Sequence, residues 1–450
     1  MSNDKKSNSP RPRPWMEYKL HIVVFFLVII AELIGTRKIY LTKNIIIVLM
    51  PLLYAMVLGL GLFLFKPFKF IQNHESKVAE NLMILFMVPI LAKLAISGGQ
   101  CLNSLSFAPA LVLQQFGHLG SIFLALPLAL LLGFKREAIG MTSSICREPD
   151  IGIIIDRYGF RSPETRGVLT VYVIGTIIGT VFISLITSLA TALPLHPYAL
   201  AMASGIGSAS MNAAALSPLL SIYPSSISDD ILAFSGLSNL LSFCFGVYIV
   251  VFIALPLTEK LYRFLEPKIG RTSSVTIKPE SYKDETDMKN HDLEKEISKF
   301  SFKRLINWGF LLFIFSIFVA TANYIGYGSS FVKSFVGMVI LSVIAYISFV
   351  LERLSPHNIP ALIWVSIIGI ILALTMVPSS PYIVPFVKAI DLSAIVTVYL
   401  AYVGISIGRD WDQFKKLGWK GGIITIFVIL GTFLGSAIIA HLSLAFTNVI

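Results

Sequence analysis

Charge is scarce in this chain, and so are the residues that build disulfides, metal sites and nucleotide pockets. Only 14% of its 450 residues are charged, against 55% that are apolar, which excludes a soluble globular domain of ordinary composition. The three cysteines (Cys101, Cys146, Cys244) stand in or beside apolar segments without paired spacing, so neither a disulfide framework nor a zinc site is expected. Seven histidines are scattered without ligand spacing, and the expected metal set is empty. No phosphate-binding loop of the GxxxxGK[ST] kind is present, so direct ATP coupling within this chain is not expected. No small-residue cleavage site follows the first apolar run. Residues 1–19 therefore read as a retained, basic cytoplasmic tail and not as a signal peptide. The formal charge of +11 is no nucleic-acid footprint, because Lys and Arg gather between the apolar runs, where they set orientation.

What the chain does have is many apolar runs of about twenty residues, each long enough to span a bilayer. The expected fold class is an all-α polytopic membrane protein with about 10–12 transmembrane helices, some broken or re-entrant. An N-terminal membrane half (20–257) carries spans near 20–39, 45–65, 78–97, 118–134 and 167–193. A last span there opens at Asp229 and Asp230, with Ser228 as its N-cap. Residues 258–304 mix acidic and basic side chains with few apolar ones and read as a charged cytoplasmic linker. A C-terminal membrane half (305–450) follows, with spans near 305–322, 331–351, 360–376, 383–407 and 421–446. Placing the N-terminus in the cytoplasm puts 66–77, 135–166, the linker and 409–420 on one side, provided that 98–116 and 198–223 dip in without crossing. The membrane implied is the cell's inner (plasma) membrane.

An internal echo accompanies this layout. Leu91, Ala92, Ile96, Ser97 and Gly99 recur in register as Leu400, Ala401, Ile405, Ser406 and Gly408, and the same offset pairs Pro51 with Pro360. Matched spans would run in opposite directions, as in an inverted-topology repeat.

Two stretches break the apolar pattern in a way that points to chemistry. The first, 204–218, is made of tiny side chains between long apolar runs. Gly205, Gly207 and Pro218 disfavour an unbroken helix. Backbone that leaves a helix at membrane depth must face protein or water. The segment is therefore expected to be broken or re-entrant, with Ser204, Ser208, Ser210 and Asn212 offering polar atoms; a small-residue packing seam is the bland alternative. The second, 140–152, packs hydroxyls (Ser143, Ser144), Arg147, Glu148 and Asp150 between two spans, with a helix break expected at Glu148-Pro149. Arg147 suits an anionic group held by two parallel hydrogen bonds. Glu148 and Asp150 suit a coupling cation, and Ser208, Ser210 and Asn212 neutral contacts to a solute. A cytoplasmic loop with surface ion pairs is the alternative reading of 140–152.

Other polar residues within apolar runs are Glu32, Lys93, Ser97, Gly99, Gln100, Asn103, Lys388, Asp391, Ser406 and Gly408. Gly98 to Asn103 is expected to interrupt its span. Glu32 and Lys93 are expected near span ends, snorkelling to the interface. Lys388 and Asp391, three apart, are expected to neutralise each other on one helix face. His118 is expected at a span boundary.

The motifs at 140–159 (GMTSSICREPDIGIIIDRYG) and 204–215 (SGIGSASMNAAA) resemble an uncharacterised bacterial family of multi-spanning membrane proteins, a domain of unknown function. More loosely, the architecture is similar to inverted-repeat anion symporters such as the sodium/glutamate and 2-hydroxycarboxylate transporters. That resemblance implies re-entrant loops meeting at a solute site, although this chain has no paired Gly-Gly-x-Gly loops. The expected function is secondary active transport of a small, anionic organic solute by alternating access, driven by a sodium or proton gradient. The protein is not expected to be an enzyme. Its expected partners are the solute and the bilayer, with a homodimer allowed and no nucleic acid; a sodium ion or proton is the only cofactor. An intramembrane or lipid-processing enzyme would need catalytic acids or histidines at the membrane boundary. A holin-like permeability protein would need no repeat and no buried charges.

Overall fold

A computed structural model describes residues 17–42, 45–64, 71–101, 107–143, 148–159, 162–270, 302–355 and 361–447. The fold is that of an α-helical polytopic membrane protein with a single two-stranded hairpin among the described residues. Among the described residues, five helical runs are long and apolar enough to cross a membrane: Asn73–Gln100, Ala108–Leu131, Ile306–Tyr327, Phe331–Leu354 and Gly418–Phe446. The number rises to seven if each of two bent pairs is one span, and Pro51–Leu64, Ser210–Ile222 and Ala361–Ala373 are shorter apolar helices.

The first half begins with α1 (Tyr18–Ile34), which ends at Gly35 with φ 68°. An antiparallel hairpin follows, β1 (Arg37–Thr42) on β2 (Ile45–Leu49). The span expected at 20–39 therefore stops short, and the one expected at 45–65 gives its first residues to a strand. β2 is a run of β-branched side chains, which suits extended backbone. α2 (Pro51–Leu64) starts on a proline, whose missing N–H costs nothing in a first turn. α3 (Asn73–Cys101) passes through Gly98, Gly99 and Gln100 without interruption, contrary to expectation. The glycines there let neighbours close in: a Cβ on Gly99 would stand 2.5 Å from the Ile370 carbonyl oxygen. α4 (Ala108–Leu113), a 3-10 stretch (Gln114–Leu119) and α5 (Gly120–Leu131) form one 24-residue run, so 107–116 begins a candidate crossing and is no shallow dip.

Next come α6 (Glu137–Thr142), α7 (Glu148–Tyr158) and α8 (Pro163–Ala190), the last bent by 69° after Gly175. They lead to α9 (Pro197–Ser204), α10 (Ala209–Ile222), α11 (Ser228–Ile249) and α12 (Leu255–Ile269). Ser228 is the first helical residue of α11, one place inside the expected cap, and a π-helical turn (Val250–Ala254) joins α11 to α12. The second half contains α13 (Phe302–Tyr327), α14 (Phe331–Leu354), α15 (Ala361–Ala373), α16 (Ser380–Lys388) and α17 (Leu392–Phe446). α17 turns at Gly418 (φ 75°, ψ 159°) into two arms, Leu392–Gly408 and Gly418–Phe446.

The first arm of α17 is the axis of the molecule, with every residue from Leu392 to Gly408 buried. α1, α2, α3, α8, α9 and α10 pack around α17. At the centre Tyr402 accepts or donates a 2.7 Å hydrogen bond with His21, and Phe86 stacks on Phe315 at 4.4 Å between ring centroids.

Candidate functional site

α9 stops because Gly205 and Gly207 follow it, the latter at φ 130°, where a side chain would be strained. Ser208 then turns extended (φ −67°, ψ 157°) and caps α10 through its hydroxyl, 3.4 Å from the Met211 amide. The chain thus leaves helical geometry at 205–208, whereas Pro218 sits inside α10. Carbonyl oxygens released by the break need donors, and α11 supplies them. Asn239 Nδ2 donates to Gly205 O at 2.8 Å and Gly207 O at 3.3 Å. The Ser238 hydroxyl donates to Met202 O at 2.6 Å.

A hydroxyl relay lies beside the break. Ser235 donates to Asn212 Oδ1 at 2.5 Å and meets Ser204 at 2.8 Å. Among the described residues, two amide atoms of this buried group have no partner, Asn212 Nδ2 and Asn239 Oδ1. Ser208 and Ser210 are half-buried and 3.1 Å apart. The residues expected at 204–212 are therefore together, while Ser235, Ser238, Asn239 and Ser242 on α11 were not anticipated. Their three- and four-residue spacing on an apolar helix was the sequence signal.

The motif at 140–152 is placed differently. Ser144 and Arg147 lie outside the described residues, and the side chain of Glu148 is likewise not described. Helix resumes at Glu148 as α7. Ser143 donates back to Ile139 O at 2.7 Å, and Asp150 is buried. α6, α7 and α10 all pack on α8, but at separate places. Gly167 meets Glu137 of α6, and Gly179 meets Met211 of α10. Those glycines are a dozen residues apart, roughly 18 Å of helix.

A second break lies in the other half, between α16 and α17, where the chain bends by 63° within the expected 383–407 span. Asp391 caps α17, accepting from the Ser393 amide at 2.7 Å, and its own amide donates to Asn323 Oδ1 at 2.9 Å. Asn323 Nδ2 donates to Ala389 O at 2.8 Å and Ser334 Oγ at 2.7 Å. From α3, Lys93 donates to Val387 O at 3.0 Å, and Gln100 to Ala373 O at 2.7 Å and Ser380 Oγ at 3.2 Å. The hydroxyl of Ser393 reaches Ser217 of α10 at 3.1 Å.

These contacts correct several expectations. Lys93 does not snorkel, because it lies mid-helix and donates to the Val387 carbonyl at the end of α16. Glu32 is buried against α13, where Gly326 leaves it room. Lys388 does not pair with Asp391, since the helix ends between them; it meets Asp229 at 2.6 Å on an exposed face. His118 is buried, facing the Ser242 hydroxyl at 3.4 Å. Ser97 is half-buried, Ser406 O accepts from the Ser76 hydroxyl at 3.2 Å, and Gly408 packs on the Phe63 ring. Asn103 lies outside the described residues.

Residues 29–264 match a family model described as a protein of unknown function (DUF3100), just over half of the chain. The chain belongs to the DUF3100 family. No curated protein and no solved structure matches it. The DUF3100 region holds the first break and all of α11, whereas Asn323, Val387 and Asp391 of the second break come from outside it.

Away from the spans, the DUF3100 region also contains a polar clasp. Tyr158 of α7 donates to Glu259 of α12, and Arg136, paired with Glu164, lies over the Tyr158 ring at 6.0 Å. Burial, then the Glu259 carboxylate, holds the phenol above the ordinary tyrosine value of 10.0. A raised folded-state value favours the folded protein below the ordinary value and loses that advantage as pH climbs through the folded one. Melting temperature should therefore fall more steeply above about pH 10 in the wild type than in Tyr158→Phe. Parallel curves in a melting series across that range would refute the clasp's contribution.

Proposed function

We propose that this protein is a secondary active transporter that moves a small anionic organic solute by alternating access, driven by a sodium or proton gradient. The observation that carries the reading is a pair of helix interruptions, one in each half: at 205–208 in the buried interior, and between the exposed Lys388 and the buried Leu392. In transporters, interrupted helices point to the solute site, where half-helix ends and freed backbone dipoles face the solute and the coupling ion. The start of α10 presents its positive dipole end with the half-buried hydroxyls of Ser208 and Ser210, a setting that favours an anion. Asn212 Nδ2 offers a free donor on the first turn beyond it. Arg147 and Ser144 are proposed to complete the anion's contacts, with Glu148 and Asp150 toward the coupling ion.

The helix crossings support an inverted repeat. α2 packs on the first arm of α17, and α15 packs on α3, so each copy's first helix lies on the other copy's second. A Cβ on Gly59 would approach Ala401 O at 2.9 Å, and one on Gly369 would approach Ala92 O at 3.3 Å. Ala401 and Ala92 are the matched residues of the sequence echo. Gly408 packs on Phe63 and Gly99 on Ile370, again a matched pair on the partner's later turns. In both crossings the contacts advance together along the two chains, so the partners are parallel. The Ser76 hydroxyl near the start of α3 meets Ser406 O late in the first arm of α17. Lys93, farther along α3, meets Val387 O just ahead of that arm, which supports 91–99 and 400–408 running in opposite directions. This arrangement supports the likeness to inverted-repeat anion symporters. A plasma-membrane location with the N-terminus in the cytoplasm, no enzymatic activity, and a homodimer belong to the same reading.

The test is uptake by proteoliposomes of the full chain, using radiolabelled short mono-, di- and tricarboxylates under imposed sodium or proton gradients. Gradient-dependent accumulation of at least one probe is expected, and none under either gradient would refute the proposal. Asn212→Asp keeps the acceptor for Ser235 but removes the donor. It should raise the KM for the transported probe about tenfold or more, the worth of a hydrogen bond to a charged group. An unchanged KM would take Asn212 out of the site.

A further inference from the structure

Glu32 is buried on α1, and among the described residues neither carboxyl oxygen meets a donor with good hydrogen-bond geometry. The Thr397 hydroxyl stands beside it but spends its proton on Ser393 O at 2.9 Å. Room for the carboxyl comes from Gly326, where any Cβ would collide with Oε2. Asp391, the cap of the second break, lies within electrostatic reach of both Glu32 and Lys93. Asp391 is thus compensated by Lys93 and by the Ser393 amide, whereas Glu32 has the engaged Thr397 hydroxyl and a second carboxyl beside it. Tyr327 on α13 is also within electrostatic reach of Glu32, and its phenol lies beside Ser393. His21, eleven residues earlier on α1, is engaged with Tyr402, and Tyr54 of α2 donates to Leu49 O at 3.3 Å.

From this geometry we infer that Glu32 carries a coupling proton, and that the gradient driving this transporter is a proton gradient. The inference rests on the transporter reading, names its driving ion and moves the ion-carrying role from Glu148 and Asp150 to Glu32. An ionised carboxylate without donors is the costly form inside a bilayer, while the acid form asks for one acceptor. A proton needs no oxygen cage, whereas a sodium ion needs several oxygens about it. Here Lys93 puts a positive charge in the same cluster, which opposes a second cation beside Glu32 and Asp391. In one orientation Glu32 takes up the proton. In the other, once α1 shifts against α13 and α17, it gives the proton to water on the opposite side, so each cycle moves one proton across.

Infrared difference spectroscopy of the full chain in liposomes, with and without Glu32→Gln, tests the proton directly. A protonated-carboxyl C=O band at neutral pH should be present in the wild type and lost in the variant. Glu32→Asp should shift that band without removing it, which guards against a misfolded glutamine variant. Uptake of the transported carboxylate driven by a proton gradient should be lost in Glu32→Gln. Identical bands in wild type and Glu32→Gln overturn the inference. So does uptake driven by sodium alone and unchanged in the variant, a result that leaves the transporter reading standing. Absence of uptake of every probe under both gradients refutes the transporter instead, and the band still decides whether Glu32 holds a proton.

Discussion

Gly120→Leu is expected to destroy the fold of the detergent-purified protein or to lower its melting temperature sharply. The Ala108–Leu131 run crosses the second arm of α17 with backbone against backbone. A Cβ on Gly120 would enter the Gly431 carbonyl, and one on Gly431 would come within 2.6 Å of Gly120 O. Gly117 meets Ser436 in the same way. Overpacking usually costs about 1–3 kcal/mol because side chains can still shift. Here the obstacle is main chain on a rigid helix, so the cost should reach or exceed the upper end, roughly 3 kcal/mol. Gly422→Ala, on the same arm but with nothing within 4 Å, should leave melting unchanged or slightly raised. A Gly120→Leu protein that melts with the wild type would show that this crossing is not as close as described.

The second large effect is expected at Asn239. Its amide donates to both the Gly205 and Gly207 carbonyls. Asn239→Leu keeps the volume but removes both hydrogen bonds, at about 0.5–1.5 kcal/mol for each. The loss falls on the break itself, because α9 and α10 would no longer be tied there to α11. Amide hydrogen exchange at 205–208 should therefore accelerate before the rest of the molecule responds, and transport should fall with it. Asn239→Asp, which keeps the shape but not the donor, should behave alike. Exchange at 205–208 unchanged in both variants would mean that the break is held by something else.

The two breaks differ in how far the residues alone announce them. At 204–218 small and helix-disfavouring residues are concentrated in one place, and local backbone preference already opposes a helix there. Between Lys388 and Leu392 nothing comparable exists, and an apolar run with two charges reads as an ordinary span. That break is held from afar, by Lys93 294 residues away from Val387 and by Asn323 66 residues away from Ala389. The same distance misled the reading of Lys388, whose neighbour in sequence was taken for its neighbour in space. Glu32 was visible as an anomaly, but not that it lacks a donor.

Composition and run length by themselves determined a helical, many-spanning membrane protein, and small residues determined where one helix had to stop. These are local properties, fixed by side-chain transfer energy and by the φ/ψ range each residue tolerates. Tertiary structure alone decided which carbonyls Asn239, Asn323 and Lys93 satisfy, which helices cross at glycine, and which carboxyl is left alone. Those outcomes depend on how whole helices dock. A polar group inside a bilayer must find its partner on whichever helix packing brings near, however distant in the chain.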